Sequence, residues 1–100
     1  MKIIYSPVAT EEDALQLASQ IIEYNLAGCC QISSPKKSIY MWEGKIENAT
    51  EHGLIIKTSL SKAPELTKWL EEHHPYDTPC IIEIDAQSNP GYQSWLDAVL

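Results

Sequence analysis

The sequence predicts an α+β domain of the split β-α-β type, β-α-β-β-α-β with a short helix appended. Runs alternating with period two give way, in that order, to runs with apolar residues three and four positions apart. Glu43-Gly44 lies between two β-rich runs and reads as the turn of one long central hairpin. The chain has 100 residues, enough for one hydrophobic core and too few for two, so residues 1–100 are read as a single domain.

Each element has its own local warrant. Residues 3–6 form a short strand that Pro7 is expected to end, because proline donates nothing to a sheet ladder. Thr10 then caps a helix, with a carboxylate three positions on and acidic residues at the positive end of the helix dipole. Its apolar stripe combines Leu15, Ala18 and Ile22 with Leu17 and Ile21, and Gly28 is expected to end it. Residues 29–40 read as a long strand, bent at the polar stretch 33–37. After the turn, residues 45–60 form its partner; the polar middle 47–53 is expected to project beyond the sheet, and 54–58 to be a buried run. Ser61 is expected to cap a second helix, with Pro64 in its first turn, Leu66, Trp69, Leu70 and His73 on one face, and Pro75 as the stop. Residues 80–86 alternate, placing Cys80, Ile82, Ile84 and Ala86 together on one face of a last strand. Pro90 opens the closing helix, in which Tyr92, Trp95, Leu96 and Val99 share a face.

Composition narrows the range of partners. The net charge is -7 and every cation is a lysine, so the bidentate arginine contacts used on phosphates and bases are missing and no nucleic-acid partner is expected. No apolar run is long enough to cross a bilayer or to serve as a secretory core, so no membrane partner is expected. Cys29, Cys30 and Cys80 form an odd set, and adjacent residues of a strand point to opposite faces, so no disulfide framework is indicated and a cytoplasmic location fits. No nucleophile elbow, phosphate-binding glycine loop or zinc-hydrolase helix occurs, which argues against an enzyme.

Two helices on one face of an antiparallel sheet leave its other face bare, and a protruding hairpin adds open edges. Self-association is the ordinary remedy. The closing helix, with Tyr92 and Trp95, suits docking on its own sheet and docking on a neighbour equally well.

Four segments, Tyr40-Met41-Trp42-Glu43-Gly44-Lys45, Ile56-Lys57-Thr58, His73-His74-Pro75-Tyr76-Asp77-Thr78-Pro79 and Tyr92-Gln93-Ser94-Trp95-Leu96, occur in an order and spacing that resembles the CutA-like divalent-cation tolerance family. Leu26-Ala27-Gly28-Cys29 is similar to that family's helix-to-strand junction, and the likeness spans nearly the whole chain. It implies a ferredoxin-like fold assembled as a homotrimer and a role in copper tolerance and divalent metal ion binding. No resident cofactor is required; copper or another divalent cation is the implied ligand. The architecture is also similar to that of trimeric signalling proteins that bind small ligands between subunits, so a small-ligand sensor or carrier is the alternative, and a scaffold without a ligand the third reading.

His73, His74 and Cys80 are the candidate metal ligands. Neighbouring helical residues point about 100° apart, so both imidazoles reach one ion only where the helix has unwound. The other reading of the pair is that it favours the negative end of the second helix while one ring, His73 on the apolar stripe, packs in the core. Cys80, across a proline-bounded turn, would restore a soft ligand where family members often carry a cysteine and this chain has Ser6; its other reading is a small buried residue. Tyr40, Trp42, Glu51, Lys57, Tyr76, Tyr92 and Trp95 are the candidate lining of an intersubunit cleft, with interface packing as the alternative role of the rings.

Overall fold

The computed structural model describes all 100 residues. In chain order the elements are β1 (Lys2–Val8), α1 (Glu11–Glu23), β2 (Cys29–Ile32), β3 (Lys36–Trp42), β4 (Lys45–Thr58), α2 (Ala63–His73), β5 (Ile82–Asp85) and α3 (Pro90–Val99). This is the predicted α+β order. The sheet runs β2-β4-β1-β5 with every pairing antiparallel, and β3 pairs with the outer half of β4.

β4 is long enough to serve two partners in succession. Its inner part, from Leu54 to Lys57, pairs with β2, and its outer part, from Lys45 to Glu51, pairs with β3. The chain crosses between these partners at residues 33–35, where Ser33 clasps the strand: its N–H donates to the Gly53 carbonyl at 2.8 Å and its hydroxyl accepts the Gly53 N–H at 2.7 Å. Gly53 is needed there, since a Cβ would lie 2.8 Å from the Tyr5 ring and 3.0 Å from Ser33 Oγ. At the hairpin tip Glu43 and Gly44 both take positive φ, +50° and +79°, the pair of angles that matches strand twist in a two-residue turn. The hairpin projects as predicted, and the molecule measures 46 × 24 × 21 Å.

The core lies between the sheet and the first two helices. Ile4 and Val8 of β1 and Leu54 and Ile56 of β4 meet Ala14, Leu17 and Ile21 of α1 and Leu66 and Leu70 of α2. The hydroxyls on this face are both satisfied: Ser6 donates to the Cys80 carbonyl and Thr58 to the Leu26 carbonyl, each at 2.7 Å. Cys30 faces the same side, and burial pushes its thiol up to about 12, the group of an inert core residue.

Several expectations are corrected. β1 continues through Pro7 to Val8, because β5 covers β1 only as far as Tyr5 and the missing N–H interrupts no ladder on that side. Asn25, at φ +57°, ends α1 rather than Gly28. Leu15 and Ile22 lie on the outer side of α1, half exposed, while Ala14 joins Leu17 and Ile21 inside. α2 is entered through a turn in which Ser59 Oγ accepts the Lys62 N–H at 3.1 Å, so Ser61 is not its cap. The last strand is only four residues long and exposed throughout, which leaves Cys80 outside it.

α3 docks on its own chain. Leu96 is fully buried yet stands apart from the main core, and a Cβ at Gly28 would lie 2.5 Å from its Cδ1. Lys57 points away from the core, opposite Ile56 and Thr58, and its ammonium lies 5.4 Å from the Tyr92 ring centroid. α3 therefore covers part of the otherwise bare sheet face. Ile82 and Ile84, whose register places them beside Tyr5 and Ile3 on that face, remain about half exposed.

Candidate functional site

A cleft of about 530 Å³ lies where the hairpin, the end of β1 and the loop after α2 converge. Period-two geometry builds one wall: Tyr40 and Trp42 of β3 and Glu47, Ala49 and Glu51 of β4 point the same way, Tyr40 pairing directly with Glu47. Tyr76, Asp77, Thr78 and Cys80 of the loop form the facing wall, and Pro7 and Ala9 close the end. Three aromatic rings, three carboxylates and a thiol thus share one space that no basic residue lines.

His74 holds the loop wall in place. α2 stops at His73, and His74 turns to extended backbone at φ -65°, ψ 137°, which carries its ring under the helix end. Its Nδ1 accepts the Tyr76 N–H at 3.1 Å, so Nε2 carries the proton and donates to the Pro7 carbonyl at 3.0 Å. Burial lowers the pKa of this ring, against the opposing pull of the Pro7 carbonyl, Asp13 and Glu51. Tyr76 stands 4.8 Å from the imidazole between ring centroids and donates its hydroxyl to Glu51 Oε2 at 2.7 Å, tying the loop to β4. Burial and the adjacent Glu51 carboxylate raise the Tyr76 pKa, so it is a phenol at neutral pH.

The seven residues expected to line a cleft divide into two groups. Tyr40, Trp42, Glu51 and Tyr76 meet here, whereas Lys57, Tyr92 and Trp95 cluster where α3 lies on the sheet, the two rings 5.4 Å apart. Glu47 and Asp77 are cleft acids that the sequence reading passed over. Glu47 was legible, since it shares strand parity with Ala49 and Glu51; Asp77 sits in a loop whose path only the His74 bonds determine.

The candidate metal ligands are not gathered within the chain, which contains no group of three or more His, Cys, Asp or Glu able to hold an ion. Both nitrogens of His74 are occupied, so it lacks the free lone pair a ligand needs. The assignment of the two rings is the reverse of the expected one: His74 is buried, and His73 lies outside, stacked on Trp69 at 4.4 Å with Nδ1 2.8 Å from the Trp69 carbonyl. In its neutral form that contact takes the Nδ1 proton and leaves Nε2 of His73 open. Cys80 is exposed, with its sulfur free, contrary to the buried alternative.

Comparison with known proteins gives this geometry a family. The family model for the CutA1 divalent ion tolerance protein matches residues 2–99. The chain belongs to the CutA1 family. The divalent-cation tolerance protein CutA of Thermococcus kodakarensis is 37% identical over 99 residues, covering 98% of this chain and 94% of that relative. Its counterpart in Escherichia coli K12 is 33% identical, covering 98% and 88%. Among solved structures, CutA1 from Pyrococcus horikoshii superposes with a TM-score of 0.94 at 34% identity, covering 99% of this chain and 97% of that one. The periplasmic divalent cation tolerance protein CutA from Archaeoglobus fulgidus gives 0.93 at 37% identity, covering 99% and 98%. The CutA1 fold of this chain therefore spans essentially all of it, and no helix is long and apolar enough to cross a membrane.

Proposed function

We propose that this CutA1 chain supports divalent-cation tolerance as a homotrimer, without catalysis, and that copper or another divalent cation is its cargo. The observation that carries the reading is the cleft itself, where Glu47, Glu51, Asp77 and the Cys80 thiol meet with no basic residue among them. One chain supplies no complete ligand set, so in this proposal a bound ion takes donors from more than one copy: Cys80 Sγ and Nε2 of His73 as the softer ones, carboxylates as the harder. A cytoplasmic location belongs to the same reading and is supported by three unpaired thiols.

Titration of the purified oligomer with Cu(II) tests it. Stoichiometric binding is expected to weaken at least about tenfold in Cys80→Ala or His73→Ala. Equal affinity in the parent and both variants overturns the assignment. The second reading, a cleft for a small organic ligand, is favoured by a different observation, the three aromatic walls of a 530 Å³ space.

A further inference from the structure

We infer that the cleft binds a flexible polyamine, its ammonium groups at Glu47, Glu51 and Asp77 and its methylene chain against Tyr40, Trp42 and Tyr76. The inference rests on reading the cleft as a site for an organic ligand and is independent of copper.

Four observations combine. The space, about 530 Å³, is of the size that organic ligands fill. No lysine or histidine lines it, and Lys36, which stands opposite Glu51 in the strand register, makes no ion pair with it; the chain's only ion pairs join Lys2 to Glu83 and Asp85, elsewhere on the sheet. Three of the eight non-acidic lining residues are aromatic, Tyr40, Trp42 and Tyr76, and ring faces attract ammonium groups and pack against methylenes. Finally, the acids are spread out. Glu47 and Glu51 are four residues apart on one strand face, so their Cα atoms stand about 13 Å apart at roughly 3.3 Å per residue. Ala49 between them leaves the floor open. Within one chain no three donors converge on a point cation. An extended ligand with amines along its length can reach carboxylates so dispersed. Tyr76 holds one oxygen of Glu51 and leaves the other free to accept from an ammonium.

The test is calorimetric titration of the native oligomer with spermidine, and in parallel with MgCl2 at matched ionic strength, while the fluorescence component lost in Trp42→Phe is followed. Saturable binding of one spermidine per chain is expected, with a change in that component that magnesium does not produce. Glu47→Gln, an exposed side chain, and Trp42→Leu should each weaken binding at least tenfold. Glu72→Gln, an exposed acid on α2, should leave it unchanged. Equal responses to spermidine and magnesium, equal affinity in E47Q and E72Q, or no binding overturns the proposal. A screen of neutral and anionic compounds separates the two levels: one that perturbs Trp42 where spermidine does not preserves the cleft as a ligand site and removes the polyamine. If nothing perturbs Trp42, both fall.

Discussion

At the residue scale His74 is the side chain on which the site depends. Its lowered pKa means that the folded state resists the proton that the unfolded chain accepts at the ordinary value of 6.5. Between those values the unfolded state binds more protons, so stability is complete above 6.5 and declines as pH falls toward the folded value. Protonation also turns Nδ1 into a donor facing the Tyr76 N–H, which loosens the Tyr76–Glu51 contact. The measurement is an NMR titration of the ring alongside thermal melts from pH 8 to 5; a folded pKa at or above the ordinary value contradicts the account. His74→Ala should cost about 1–3 kcal/mol, since two partly buried backbone groups lose their partners. Of the two readings of the histidine pair, the one that packs a ring in the core describes the fold, but helical periodicity assigned that ring to His73 and it is His74. That periodicity ends one residue early, at a backbone turn set by tertiary contact.

At the element scale the close approach of α3 to the β2 junction is the feature most open to challenge. Gly28→Ala places a methyl group against Leu96 and Val99, and overpacking of this kind costs about 1–3 kcal/mol or displaces the helix. Denaturant unfolding together with Trp95 fluorescence checks it: an unaltered midpoint and spectrum would show that α3 is loosely held. The order of elements was legible because each carried its own pattern, the Thr10 cap, the Glu43-Gly44 turn and the apolar run 54–58 among them. Element ends were less so. Asn25, at positive φ, ends the helix that Gly28 was expected to end, and Gly28 serves instead the close approach of α3. Tyr40, Trp42 and Glu51 could be placed on one wall by parity alone, while their meeting with Tyr76 depended on where a loop returns.

For the whole molecule, only 17 residues are buried, and the far side of the hairpin presents Ile39, Met41 and Ile46 at 71%, 65% and 76% exposure. Met41 and Ile46 are direct cross-strand neighbours, so this is a continuous apolar stripe rather than scattered residues. In the proposed homotrimer a second copy covers it. Ile46→Lys should therefore shift the mass measured by light scattering from trimer toward monomer at micromolar concentration, and an unshifted trimer would place the interface elsewhere.

The position of β1 has a consequence for how the molecule comes into being. β1 is made before both of its neighbours and lies between β4 and β5, with Lys2 paired to Thr58 on one side and to Asp85 on the other. Its hydrogen-bonding edges wait for partners synthesised much later, and α1 meanwhile has no finished sheet to cover. Such long-range pairing slows folding. Closure of the sheet thus waits for β5, and until that strand is made the nascent chain is most exposed to chaperones and to its own copies.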